Sequence, residues 1–172
     1  MTYFENRFSS YKKRIDEISY DKEHRVSLCK SKQNYFSYDE IIDKQWPTKR
    51  ISKFDLIHFH EDFIVCVEFK NQERKDINKD KVREKITEGI LSLHRMCSGN
   101  LAELNNKKIV YFVVYRQESS SRQYLSNHLG STEDYFSLEQ YKGWLLEQYF
   151  VDSCSKKLKN KMSEFNIEID KA

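Results

Sequence analysis

The sequence predicts an α/β protein with a central mixed β-sheet flanked by helices, and three observations carry that prediction. Two apolar, strand-like runs meet at a short polar turn within 51–70. An amphipathic stretch from about Asp80 to Cys97 follows them. Then comes KIVYFVVY at 108–115, a nearly continuous apolar run of the kind found in strands covered on both faces.

With 172 residues, 38% apolar and 14% aromatic, the chain is long enough to bury a core. It is expected to form one domain over 1–172, with a core at about 1–116 and a C-terminal helical extension at about 117–172. No apolar stretch approaches the roughly 20 residues needed to span a bilayer. MTYFENRFSSYKKR lacks the apolar segment of a secretory signal, so a soluble, cytoplasmic protein is expected. Cys29, Cys66, Cys97 and Cys154 are scattered with no CxxC pair, which fits reduced thiols better than a zinc site or a disulfide framework. A formal net charge of +3 permits nucleic-acid binding without arguing for it.

Along the chain, Phe4, Phe8, Tyr11, Ile15 and Ile18 form one apolar stripe and predict a helix over 3–20. A strand is expected near 24–30, extended toward Tyr35 and Phe36. Within 38–50, Pro47 ends a short helix or loop at Trp46. Residues 51–70 read as two strands. In the helix at about 80–97, Val82, Ile86, Ile90, Leu93 and Cys97 are the buried stripe, and Ser98-Gly99-Asn100 is the stop. Gly89 lies beside that stripe; it costs roughly 1 kcal/mol relative to Ala and suits close helix–sheet packing. ESSSRQ at 118–123 reads as a polar loop, and 137–150 as another helix with Ser137 as N-cap. The lysine-rich tail beyond Cys154 reads as a helix or a frayed end. The order is helix, strand, strand, strand, helix, strand, helix.

The two strands within 51–70 carry misplaced charges. If Glu61 and Asp62 form the turn, residues pair when their numbers sum to 123, so Asp55 faces Glu68, Ile57 faces Cys66 and Phe59 faces Ile64. Lys70 shares the Glu68 face because side chains alternate along a strand. Leu56, His58, Val65, Val67 and Phe69 make the other face largely apolar too, which places the hairpin inside a sheet. Two carboxylates facing each other there need a compensating cation. Lys70 supplies part of that charge, and a divalent metal between the acids would supply more. A one-residue slip would send the two acids to opposite faces.

Asp55, then twelve residues, then Glu68-Phe69-Lys70 preceded by Ile64-Val65-Cys66-Val67, resembles the core signature of the PD-(D/E)XK, or restriction endonuclease-like, nuclease superfamily. The αβββαβ order of residues 1–116 resembles that family's core as well. The resemblance implies phosphodiester hydrolysis dependent on Mg2+ or Mn2+. It implies Asp55 and Glu68 as metal-binding acids, the Phe69 backbone carbonyl as a further ligand, and Lys70 as the group that orients or activates the attacking water. Asp55, Glu68 and Lys70 are thus the candidate catalytic set. The residue types suit the chemistry, because Mg2+ takes oxygen ligands and usually keeps several waters. The chain departs from the family pattern in three places. Phe54 stands where a Pro often precedes the first acid. In the first predicted helix Glu5 and Asp16 lie on the flank of the stripe and Glu17 opposite it. The helix after the motif has no Gln, although Arg83, Thr87 and His94 flank its buried side.

For nucleic-acid contacts, the segment 70–85 offers Lys75, Lys79, Lys81 and Arg83 as phosphate partners. His58-Phe59-His60 lacks a third ligand cluster and reads as two ordinary histidines near a turn. The expectation is a DNA endonuclease, structure-directed or restriction-like, with nucleic acid as its partner and no membrane association. A two-fold homodimer would suit a duplex substrate. Two alternatives stand beside it: a non-catalytic nucleic-acid-binding or protein-interaction module on the same fold, and an RNA endonuclease.

Overall fold

The run 108–115 lies inside a six-stranded mixed sheet, as its two apolar faces require. A computed structural model describes residues 3–97, 104, 106–117 and 134–171. The N-terminal half contains α1 (Tyr3–Phe8), β1 (Lys12–Arg14), α2 (Ile15–Ile18), β2 (Tyr20–Asp21), β3 (Val26–Ser27), β4 (Cys29–Lys30), β5 (Asn34–Ser37) and α3 (Tyr38–Gln45). Then follow β6 (Leu56–Phe59), β7 (Phe63–Lys70), α4 (Lys79–Met96), β8 (Lys108–Tyr115), β9 (Gln148–Ser153), α5 (Lys156–Ser163) and β10 (Asp170–Lys171). The main sheet runs β1-β5-β6-β7-β8-β9; β7, β8 and β9 are parallel and the other pairs antiparallel. The crossover from β7 to its parallel neighbour β8 contains α4, as a parallel pair demands.

The hairpin has the register its symmetry predicts: Leu56 pairs with Val67, Ile57 with Cys66, His58 with Val65 and Phe59 with Ile64. Period-two alternation then sorts the core into two layers. Ile57, Ile64, Cys66, Tyr111 and Val113 face α1, α3 and α4. Leu56, Val65, Val67, Val110, Phe112 and Val114 face α5 and the segment holding Phe165, Ile167 and Ile169.

Three elements differ from expectation. The helix over 3–20 is broken, because Lys12–Arg14 extends and pairs with Asn34–Phe36 at the sheet edge. The chain therefore changes layers, with Phe4 and Phe8 in one core and Ile15 in the other. The 24–30 segment forms two short strands outside the main sheet, and the sheet strand is Asn34–Ser37. Finally, 137–150 is a single 3-10 turn, Glu139–Tyr141, followed by β9, so the C-terminal extension is not all helical. Ser137 has φ 55°, and the Asp134 carboxylate, not Ser137, accepts from the amides of Leu138 and Glu139. Gly143 at φ 83° turns the chain into β9. The expected stop at Ser98-Gly99-Asn100 and the loop 118–123 lie outside the described residues.

The helix α4 carries the expected stripe, with Val82, Ile86, Ile90, Leu93 and Cys97 all buried. Gly89 allows the close approach predicted for it: a Cβ there would stand 2.6 Å from the Phe54 ring. Cys29, Cys66 and Cys97 are buried and Cys154 is half-buried. No helix among the described residues is long and apolar enough to cross a membrane.

The two histidines of the HxH belong to the packing. His58 meets Tyr35 edge to face at 5.6 Å, and His60 sits against Phe63 and Phe165. Burial, and next the neighbouring His60, push the His58 imidazole down from 6.5 to about 4. Between those pH values the unfolded chain holds a proton that the folded chain lacks, so acidification favours unfolding. Stability is expected to fall by up to about 3 kcal/mol from this residue as pH drops from 6.5 to 4. Urea midpoints measured across that range should decline less steeply in His58→Gln than in the wild type.

Candidate active site at the open end of the hairpin

The β6–β7 ladder stops one residue short of Asp55, and that interruption builds the site. His60 donates to the Phe63 carbonyl at 2.9 Å, so the alternating pattern of hydrogen-bonded pairs would next engage 58 with 65, 56 with 67 and 54 with 69. At the last of these the chain bends away. The Asp55 amide donates to the Val67 carbonyl at 3.0 Å, while the Asp55 carbonyl accepts from the Tyr38 amide at 2.9 Å. The Phe69 amide, left without a strand partner, donates instead to Asp55 Oδ2 at 2.6 Å. An extended residue's N–H and C=O point to the same side of its strand, so the Phe69 carbonyl faces the Asp55 side too.

Glu68 lies on the α4 face of β7 and is wholly buried. Its Oε1 accepts from Lys70 Nζ at 2.7 Å and from Lys85 Nζ at 2.6 Å. Lys85 Nζ also stands 3.5 Å from Asp55 Oδ1, so one ammonium bridges the two acids. The lysine side chains are about a fifth exposed, at 21% for Lys70 and 22% for Lys85. Asp55, Glu68 and Lys70 stand together around the Lys85 ammonium, although the strand pairing ends at Leu56 and Val67 and does not itself set Asp55 opposite Glu68.

Electrostatics follow from that burial. Burial, and after it the charge of Glu68, hold the Asp55 carboxyl well above the usual carboxylate range. Burial acting alone would lower the Lys85 ammonium; the charges of Asp55 and Glu68 and the hydrogen bond to Glu68 outweigh it and hold Lys85 above the ordinary lysine value. A third acid, Asp39 in the first turn of α3, joins the same field. Burial raises its carboxyl to about 6 against the lowering pull of Lys85 and Lys53, and Glu68 adds to the rise. Burial, then the charges of Glu68 and Asp55, push the Tyr111 phenol up as well.

Two buried atoms here are unsatisfied: Glu68 Oε2 and the Tyr111 hydroxyl have no hydrogen-bond partner among the described residues. An orphaned carboxylate oxygen in a buried, oxygen-rich corner is the observation that fits a hard divalent cation. The donors present are the Asp55 and Glu68 carboxylates and the Phe69 carbonyl. Among the described residues, no three His, Cys, Asp or Glu side chains converge as a ready-made metal cluster. A hard cation held by these few oxygens would have to keep most of its waters, as Mg2+ does.

The basic residues expected to hold phosphates lie just beyond Lys70, each with a partner in the chain. Lys75 pairs with Glu73 at 3.2 Å, and Lys79 lies 4.0 Å from the centre of the Tyr135 ring. Lys81 pairs with Glu84 at 2.7 Å; Arg83 pairs with Asp80 and donates to the Phe136 carbonyl at 3.3 Å. Lys81 precedes Lys85 by one helical turn and so marks the mouth of the same face. Next to the end of β7, a cleft of about 400 Å3 is lined by Asn71, Tyr115, Arg116 and His24.

Two site residues escaped sequence reasoning. Lys85 stands three residues after Val82 and four before Gly89, on the side of α4 that the apolar stripe turns to the sheet. That spacing was the signal. Asp39 had a weaker one, since its helix was legible only as a short helix or loop before Pro47. Glu5, Asp16 and Glu17, the acids of the first predicted helix, take no part in the ion pairs around Glu68. Comparison with family models, with curated proteins and with solved structures returns no match to this chain.

Proposed function

We propose that the protein is a metal-dependent nuclease of restriction endonuclease-like architecture, acting on DNA. One observation carries the reading: Asp55 and Glu68, on the two arms of one hairpin, are bridged by the Lys85 ammonium at its broken end, with Lys70 on the same carboxylate. A bound Mg2+ supplies positive charge that polarises a phosphoryl oxygen and makes water a better nucleophile. The chain's own residues do the rest. Asp55 and Glu68 would hold the cation together with the Phe69 carbonyl, and the Phe69 amide fixes the Asp55 carboxylate in place. Lys70 orients the attacking water and offsets charge on the phosphate. Arg116, exposed and bonded through its amide to the carbonyl of Lys70 at the end of β7, and the exposed Lys81 on α4 are the cations offered to the nucleic-acid backbone.

The second reading is a non-catalytic nucleic-acid-binding or protein-interaction module. It draws on the two ammoniums that already compensate Glu68 without any metal.

A cleavage assay with Mg2+ or Mn2+ on single-stranded, duplex and branched DNA and on RNA separates these readings. Cleavage of a DNA substrate is expected, abolished by chelation. Asp55→Asn and Lys70→Ala, checked as folded by near-UV circular dichroism, should each lose about 100-fold or more of the rate. Undiminished cleavage by both variants would remove the site assignment. Cleavage of RNA alone would move the substrate to the RNA class, and tight binding without turnover would favour the binding module.

A further inference from the structure

The geometry points to Lys85 as a built-in competitor for the divalent cation: its ammonium fills the gap between Asp55 and Glu68 in the free protein and must leave it before a metal can bridge them. This inference rests on the metal-dependent reading of the site.

Lys85 Nζ is 2.6 Å from Glu68 Oε1 and 3.5 Å from Asp55 Oδ1, the place a bridging cation would take. The compensation is lopsided. Glu68 Oε1 receives two ammoniums of like charge, while the buried Oε2 has no hydrogen-bond partner among the described residues. A divalent ion bridging Asp55 and Glu68 would stand beside the Lys85 ammonium, and like charges at that spacing repel strongly where water is scarce. Lys70 compensates Glu68 from its own strand, two residues away on the same face. Lys85, reaching in from α4 on a flexible four-carbon stem, is the ammonium that stands against both acids, so its departure opens the gap. Empty, the site is held together by the lysine; loaded, it is held by the metal. The lysine thereby sets how much free metal the protein needs.

Isothermal titration of the full metal-stripped chain with Mn2+ tests this. If the vacated arrangement makes up about a tenth of the free protein, Lys85→Met should bind Mn2+ about tenfold more tightly than the wild type. Lys85→Arg, which keeps a cation in the gap, should not tighten binding. Metal-free Lys85→Met should also melt below the wild type, and Mn2+ should raise its melting temperature by more. Lys85→Gln is the companion variant if the methionine protein does not fold. A folded Lys85→Met or Lys85→Gln that binds Mn2+ no better than the wild type would overturn the competitor role and leave the metal site standing. Mn2+ binding by neither the wild type nor the variants would overturn the metal reading itself, and this inference with it.

Discussion

Glu68→Ala is expected to lower the unfolding free energy of the metal-free protein by about 3–5 kcal/mol, one of the largest single-residue effects in the chain. Glu68 is wholly buried and is the shared counter-charge of Lys70 and Lys85. Truncating it leaves two mostly buried ammoniums facing a carboxyl, Asp55, that burial holds well above its usual range. Breaking a buried pair by removing one partner is costly because an uncompensated charge remains, whereas removing both partners is often close to neutral. Glu68→Ala should therefore be partly rescued by Lys85→Met, with a coupling energy of about 0.5–3 kcal/mol in the double-mutant cycle. Urea denaturation in the presence of a chelator measures all four corners. A Glu68→Ala loss below about 1 kcal/mol would place the pair in the class of solvated surface bridges, and the electrostatic description of the site would fall with it.

That cycle separates a part of the site legible in the sequence from a part that was not. The hairpin register was legible because Glu61-Asp62 is the obvious reversal and a two-residue turn there fixes the pairing; the two apolar faces by themselves would not have excluded a one-residue slip. Glu68 and Lys70 follow from the pleat alone. Asp55 needed more: the symmetric pairing runs only to Leu56, and the bend that hands the Phe69 amide to the Asp55 carboxylate leaves no mark in the apolar pattern. Lys85 was hidden for another reason. A lysine beside a helical stripe normally sends its ammonium to water, and only the position of Glu68 beneath it makes the inward course favourable.

The same distinction explains the elements that went astray. The stripe from Phe4 to Ile18 has good helical spacing, yet Lys12–Arg14 is drawn into pairing with β5, and tertiary pairing outweighs a spacing signal. In 137–150 the polar Ser-Leu-Glu-Gln opening resembles a helix start. The β-prone run Tyr149-Phe150-Val151, placed after Gly143 and alongside β8, instead completes the sheet edge. Both errors concern segments whose partner lies far away in sequence, where local periodicity carries the least information.

Phe54→Ala should rival Glu68→Ala, costing about 3–5 kcal/mol. Phe54 is fully buried and stacks on Tyr38, with ring centroids 4.4 Å apart at 13°, and meets Tyr111 edge to face at 6.4 Å. Its ring also occupies the notch in α4 that Gly89 leaves open. The Tyr38 hydroxyl ties this stack to α4 by donating to the Gly89 carbonyl at 2.8 Å, so helix and hairpin are locked immediately beside Asp55. A proline in the place of Phe54 could stiffen the chain, but it could not fill that notch. The fit makes a sharper expectation than the loss alone. In the wild type, Gly89→Ala puts a methyl group 2.6 Å from the Phe54 ring and should destabilise by about 1–3 kcal/mol. In the Phe54→Ala background the notch is empty, and the same change should stabilise by roughly 1 kcal/mol through helix propensity. Thermal and urea unfolding of the two single variants and the double variant check the reversal of sign. If Gly89→Ala has the same effect in both backgrounds, Phe54 is not what holds α4, and with it Lys85, over the two acids.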